Sequence, residues 1–304
     1  MIRISCIIPT FNYGHFIIDA VDSALDALRD DDQIIVIDDG STDDTRQRLD
    51  SYISDNRIQY HYQDNAGVGA ARNAGTQMAD GDYLYFLDAD DRVIKAGFSK
   101  LRQAVERNQG IAAVIAGHIS VNGQKRRERR QKPFSSNKAT NFVDYAIRRR
   151  FSMSNTGATL FKRDIALKYP YPDIKTGEDM VVYALILANE YVMSIPDSSV
   201  VTNRHADSLR EQPQGYANTV EHLPDLVFDE TRLPAPLMKW KQQFYCNCLL
   251  SLFREQYLSG EYEAARHTYQ RARQLSFRRS LQLSYLRKYL KMRLKFHFFK
   301  SQRQ

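Results

Sequence analysis

Three cysteines in 304 residues, Cys6, Cys246 and Cys248, are too few and too scattered for a disulfide framework. Their scarcity points to a reducing compartment. Cys246-x-Cys248 lacks the second ligand pair of a structural metal site and reads as helix packing. No apolar run approaches the length that spans a bilayer, and no leader peptide is visible ahead of the first predicted strand. No Gly-x-Gly-x-x-Gly follows that strand, which argues against a dinucleotide-binding dehydrogenase. Tryptophan occurs once, at Trp240. Acids are missing from residues 271–304, where eleven Lys and Arg fall, so the formal excess of +7 is unevenly spread. The apolar, charged and aromatic fractions of 43%, 26% and 11% are those of an ordinary globular protein.

What is present is an alternation of strand and helix signals. Residues 2–8 are an apolar, β-branched run, ended by Pro9, that predicts a buried parallel strand. Pro9-Thr10-Phe11-Asn12 is expected to form the loop at its end. Phe16, Ala20, Val21, Ala24, Leu25 and Leu28 follow at helical spacing. A second strand over 33–37 runs into Asp38-Asp39-Gly40-Ser41-Thr42-Asp43, where Gly40 permits a sharp turn and Ser41 or Thr42 can cap the next helix. A third strand is expected over 58–62. The small residues of Gly67-Val68-Gly69-Ala70-Ala71-Arg72-Asn73-Ala74-Gly75 suit a helix packed close to a sheet or a ligand. The fourth strand, Tyr83-Leu84-Tyr85-Phe86-Leu87, stops at Asp88-Ala89-Asp90-Asp91. A helix over 93–107 and a strand over 112–116 come next. The sum is an α/β protein with a doubly wound, mostly parallel twisted sheet flanked by helices. Ligands of such sheets bind beyond the C-terminal strand ends.

Further along, residues 125–130 form a charge run that reads as a solvated, mobile loop. A helix is expected over 141–151, and a small-residue turn at Asn155-Thr156-Gly157-Ala158 leads into another strand. Strands are expected over 191–195 and 199–202. Pro213, Pro224, Pro234 and Pro236 then punctuate a linker-like zone, and from Leu237 the pattern is helical. The boundary falls between a domain of residues 1–209 and an all-α extension of residues 210–304.

Carboxylates crowded at a strand exit repel one another unless a cation sits between them. Hard oxygen ligands suit Mg²⁺ or Mn²⁺, which commonly bridge carboxylates to substrate phosphates. Alone, Asp88-Ala89-Asp90-Asp91 reads as a solvated acidic turn. Glu178-Asp179, opening a predicted apolar helix, is by itself ordinary helix N-terminal chemistry.

Taken in order, Pro9-Thr10-Phe11-Asn12, Asp38-Asp39-Gly40-Ser41-Thr42-Asp43, Ala71-Arg72-Asn73-Ala74-Gly75, Leu87-Asp88-Ala89-Asp90-Asp91 and Gly177-Glu178-Asp179 resemble the family 2 glycosyltransferases. These are inverting enzymes of the GT-A fold, and the resemblance covers residues 1–209. It implies that Pro9, Thr10 and Phe11 embrace a nucleotide, that Asp39 bonds its base, typically uracil, and that Arg72 lies in the flanking helix. It implies further that Asp88 lies near the ribose or a metal-bound water, that Ala89 belongs to the nucleotide site, that Asp90 ligates Mn²⁺ or Mg²⁺, and that His205 completes the metal shell. A structural histidine is the other reading of His205. Asp179 resembles the catalytic base, with Thr156, Gly157 and Glu178 on the acceptor side. The Gln-x-x-Arg-Trp of processive relatives is missing, since Trp240 sits in Met238-Lys239-Trp240-Lys241-Gln242. One sugar per encounter is therefore expected, moved from a nucleotide-sugar donor, UDP-linked by family habit, to a saccharide acceptor hydroxyl. A lipid-linked or cell-surface precursor is the acceptor class expected. The alternative is a catalytically degenerate module that only holds the nucleotide sugar.

The C-terminal stretch carries its own expectation. Over residues 276–304 bases alternate with Leu, Tyr, Met and Phe. A helix of that composition suits an anionic membrane surface. Nothing upstream reads bases, so nucleic acid is not expected as a partner. A helix merely packed on the protein with a solvated basic face is the other reading. The location expected is cytoplasmic, peripheral on the inner face of the membrane.

Overall fold

The computed structural model describes residues 2–151, 156–205 and 213–301. It divides into two compact units, Met1–Asp207 and Ser208–Gln304. The end of the first expected domain, at 209, lies outside the described residues.

The first unit is a nine-stranded mixed sheet with helices on it. In chain order its elements are β1 (Ile4–Thr10), α1 (Gly14–Ala27), β2 (Gln33–Asp38), α2 (Thr45–Ser54), β3 (Gln59–Tyr62), α3 (Val68–Met78), β4 (Tyr83–Phe86) and β5 (Arg92–Val93). There follow α4 (Lys95–Arg107), β6 (Ala113–Asn122), β7 (Lys125–Arg129), α5 (Lys138–Phe142), β8 (Thr159–Lys162), α6 (Arg163–Lys168), α7 (Glu178–Asn189) and β9 (Val192–Arg204). The strands lie in the order β3-β2-β1-β4-β8-β6-β9-β5, with β7 paired to β6. From β3 to β4 every pairing is parallel. β8 then runs antiparallel to both its neighbours, β4 and β6. The expected parallel order thus holds from β3 to β4, is interrupted by β8, and returns where β6 pairs with β9.

β1, β2 and β4 are buried along their whole length, as continuous β-branched and aromatic runs require. α3 packs directly on β1 because Gly75 has no side chain: a Cβ there would overlap the Ile7 side chain.

Four local expectations need correction. β1 does not stop before Pro9 but continues through it to Thr10, opposite Ile37 and Asp38. Ile7 accepts from Leu87 on the β4 side, and Thr10 accepts from Asp39 on the β2 side. By alternation Pro9 faces β4, where pairing has ended at Ile7, so its missing N–H breaks no ladder bond. The basic run is not a loop but strand β7, a hairpin return onto β6 through Gly123 at φ +55°. Its exposed charges discourage further pairing at that edge. The two strands expected after 190 are one, β9, whose register shift at Gly117 accommodates Pro196. The helix expected over 141–151 is α5 followed by a wider turn, Val143–Ile147.

In the second unit the described elements are α8 (Pro213–Thr219), α9 (Leu223–Val227), α10 (Lys241–Leu258), α11 (Tyr262–Leu275), α12 (Phe277–Ser280) and α13 (Leu283–Ser301). Phe244, Leu249, Phe253 and Tyr269 form its core. Cys246 and Cys248 are buried in α10, and the Cys246 thiol reaches the Ala272 carbonyl of α11 at 3.4 Å. Among the described residues no helix is long and apolar enough to cross a membrane.

Candidate active site

The parallel strands deliver three polar loops to one sheet edge. Beyond β1, Asn12 donates its N–H to the Ser41 hydroxyl at 2.9 Å, and its Oδ1 accepts from Thr42 N–H at 2.7 Å. Asp43 accepts from the N–H groups of Gly14 and Thr45, both at 3.0 Å. The loop after β1 and the loop after β2 are therefore tied together by side chains. Slight burial works to raise the Asp43 pKa, but the bonds from Thr45 and Gly14 outweigh it and hold the carboxyl below its ordinary range.

Asp39 is buried and already engaged. Its oxygens accept from the Gln63 amide at 2.7 Å and from the Ala66 and Gly67 N–H groups at 2.9 and 2.8 Å. A carboxylate offers about four lone-pair sites, so room remains for about one more donor. Phe11 is exposed, whereas Thr10 is buried with its hydroxyl unpartnered. Pro9 is a strand residue, so of the expected nucleotide loop only Phe11 stands out into solvent.

Beyond β4 the chain turns at once, with Asp91 N–H bonded to the Asp88 carbonyl at 3.0 Å. Asn203, near the end of β9, clasps this turn. Its side chain donates to the Asp90 carbonyl at 2.6 Å, and its N–H donates to the Asp91 carboxylate at 3.0 Å. That clasp brings His205 Nε2 to 2.9 Å from Asp90 Oδ2. The His205 ring packs on Phe16 and Tyr13, with centroids 4.5 and 5.7 Å away. Burial, and next the neighbouring Asp88 charge, push the Asp90 carboxyl above its ordinary pKa. Ala89 turns its methyl into the core, so only its backbone is left for a ligand.

One oxygen and one imidazole nitrogen in direct contact are a donor pair that a divalent ion of the Mg²⁺ or Mn²⁺ kind accepts, with water and phosphate completing its shell. Among the described residues no group of three or more His, Cys, Asp or Glu is placed to hold a metal. Asp90 and His205 are the residues that could hold such an ion.

Asp88 is held elsewhere. Arg72, buried in α3, donates from Nη2 to Asp88 Oδ1 and from Nη1 to Glu178 Oε1, each at 2.8 Å. Its guanidinium lies 5.2 Å from the centre of the Tyr171 ring. Burial opposes the Arg72 charge, but the negative charges of Asp88 and Glu178 prevail and hold its pKa above the ordinary value. Tyr171 is fixed in turn by Asn73, whose amide donates to the Tyr171 carbonyl at 2.8 Å and accepts its N–H at 2.9 Å. The Tyr171 hydroxyl is buried without a partner, as is that of Thr156.

Glu178 and Asp179 form the first turn of α7, and Asp179 Oδ1 accepts from Met180 N–H at 2.7 Å. Three tyrosines, Tyr171 and Tyr183 buried and Tyr145 half-buried, feel this acidic start: all have raised pKa values, chiefly from desolvation, with the Asp179 charge adding to it. Thr156 and Gly157 are buried ahead of β8, and the Gly157 carbonyl accepts from the Tyr85 hydroxyl.

Sequence reasoning passed over Asn203, Asn73, Gln63 and Tyr171. Asn203 stood beside the noted His205, and Asn73 beside Arg72. No spacing rule, however, links residue 73 to 171 or 203 to 90.

This architecture is a GT-A fold. The structure of S. aureus TarS 1-349 in complex with UDP superposes on it with a TM-score of 0.64 and 17% identity, covering 97% of this chain and 91% of that one. The same protein in complex with UDP-GlcNAc gives 0.60 at 15% identity, with the same coverage. The family model for glycosyl transferase family 2 matches residues 5–169, and the chain belongs to that family. Among curated relatives, the uncharacterized glycosyltransferase EpsJ of Bacillus subtilis is 37% identical over 107 residues, covering 35% of this chain and 31% of the relative. The uncharacterized glycosyltransferase RC0461 of Rickettsia conorii is 30% identical over 195 residues, 64% of this chain and 31% of the relative. A putative teichuronic acid biosynthesis glycosyltransferase, TuaG of Bacillus subtilis, is 41% identical over 91 residues, 29% of this chain and 36% of the relative. The chain thus matches about a third of the length of each of these relatives.

Proposed function

We propose that the protein is a non-processive, inverting, metal-dependent glycosyltransferase. It moves one sugar from a UDP-linked donor to a hydroxyl of a lipid-linked or cell-surface polysaccharide precursor. It works from the cytoplasmic side, peripheral to the membrane. The observation that carries this reading is the buried guanidinium of Arg72. It bonds Asp88 of the acidic turn and Glu178 at the start of α7, and so ties the strand-exit acids to the candidate base.

In this reading Asp179 takes the proton of the acceptor hydroxyl as its oxygen bonds to the anomeric carbon. The bond from that carbon to the diphosphate breaks with its electron pair on the leaving oxygen, and attack from the opposite face inverts the centre. Glu178, neutralised by Arg72, orients the acceptor, and Phe11 and Asp39 take the nucleotide. Asp90 and His205 would hold the divalent ion, whose Lewis acidity offsets charge on the departing diphosphate. UDP as the donor nucleotide is supported by the ligands of the structural neighbours, and the acceptor class by the name of the TuaG relative.

The test is UDP release from UDP-GlcNAc and other UDP-sugars with Mn²⁺ and a lipid-linked saccharide pool. Turnover that fails in Asp179→Asn is expected. Tight UDP-sugar binding without turnover on any acceptor would make the protein a binding module instead.

A further inference from the structure

Over residues 283–292 of α13 the packing sorts the apolar residues into two sets. Tyr285, Tyr289 and Met292 recur at helical spacing and face inward, onto α10 and α11. Tyr289 stacks on Tyr269 with ring centroids 4.2 Å apart, Tyr285 meets Phe253, and Met292 is fully buried. Turned about half a revolution away are Leu283, Arg287 and Leu290, with Lys291 beside them, all exposed. Leu283 is 68% and Leu290 49% exposed, and just upstream Phe277 and Leu281 are 54% and 43% exposed. Four of the nine exposed large hydrophobic side chains among the described residues therefore fall within residues 277–290. Scattered apolar exposure is ordinary, but this concentration coincides with the stretch that has no acid at all.

We propose that the outer face of α13, carried by Leu283, Arg287, Leu290 and Lys291, docks on an anionic lipid surface. Charge complementarity selects the occupant. Leucines insert among acyl chains while the long basic side chains reach back to phosphates. An acidic protein surface would satisfy the bases but leave the leucines unexplained, and nucleic acid would leave them in water. The exposed basic hairpin strand β7 supplies the contrast, since its side chains bring charge without exposed apolar neighbours. The proposal rests on the peripheral placement given above but not on the transfer chemistry.

The experiment is co-sedimentation of the full chain with vesicles of phosphatidylcholine alone or with a third phosphatidylglycerol, at low and high salt. UDP binding and thermal unfolding serve as fold controls. Truncation before α13 is unsuitable, because it would strip Tyr289 from Tyr269. Expected are binding to the anionic vesicles only, at least tenfold weaker binding by R287E/K291E and by L283S/L290S, and unchanged binding by R126E/R127E. Persistent binding by both α13 variants would overturn this face while leaving peripheral placement standing. No binding by the wild type would overturn both. Loss through R126E/R127E alone would move the contact to the hairpin and refute α13. Tighter binding to a short RNA or DNA duplex than to the vesicles would replace lipid by nucleic acid.

Discussion

Replacing Arg72 by Met tests the link at the centre of the site. The Arg72 side chain is 6% exposed, and its partners Asp88 and Glu178 are 28% and 10% exposed. The substitution nearly preserves volume and removes the cation, leaving two carboxylates facing an apolar side chain. Removing one partner of a buried ion pair costs about 3–5 kcal/mol. Most of that cost falls on Glu178, because water reaches Asp88 more easily. For a unit of this size a loss of that order lowers Tm by roughly 6–20 °C. The sharper consequence is a rescue. Glu178→Gln removes the stranded charge, so in the Arg72→Met background it should raise stability, with a coupling of about 1–3 kcal/mol in a double-mutant cycle. Urea unfolding followed by circular dichroism, alongside thermal scans, reads both quantities. If Arg72→Met unfolds like the wild type, or Glu178→Gln lowers stability equally in both backgrounds, the guanidinium does not neutralise these acids and the argument is wrong.

Asp179→Asn keeps shape and removes basicity, so turnover should fall by about 10²–10⁴ while donor affinity holds; collapse of donor binding would assign Asp179 to the donor side. Asp39→Ala frees the Gln63, Ala66 and Gly67 donors, and should both weaken UDP binding and cost about 1–3 kcal/mol of stability. Weakened binding at full stability would mean that Asp39 serves the ligand and not the loop. Asp43→Ala tests the joint between the first two loops. The folded-state pKa of Asp43 is lowered, so its contribution is complete above the unfolded value of about 3.9 and is lost as pH falls through the folded value. The Tm gap to wild type should be full at pH 7 and shrink below about pH 4, and a gap that stays constant into acid refutes the assignment. Asp90→Asn should weaken Mn²⁺ binding by at least about tenfold, the scale seen on disturbing metal-site partners, as read by calorimetry. Unaltered Mn²⁺ affinity would remove Asp90 from the metal site.

Several elements were legible because local chemistry alone dictates them. Residues 4–10 and 33–38 are strands because unbroken β-branched runs can bury both faces only inside a parallel sheet. The acidic turn follows β4 because Asp88-Ala89-Asp90-Asp91 ends an aromatic run. Other features turned on partners that a linear reading does not contain. The basic stretch 125–129 looks like a solvated loop until β6 offers it a backbone edge, although Asn122-Gly123 was a hairpin signal in plain view. Pro9 looks like a strand end until the neighbouring strand is seen to stop first.

The α/β class, the family's motif order and the chemical inventory of carboxylates, Arg72 and the late His205 could be read from the chain alone. Those follow from residue type and short-range spacing, which local physics reads directly. Only the tertiary structure decided that Arg72 joins residues 88 and 178, that Asn203 carries His205 to Asp90, and that α13 turns its tyrosines inward and Leu283 and Leu290 out. Each depends on which strands and helices lie side by side. That choice is made by burial summed over the whole chain, not by any residue's own neighbours.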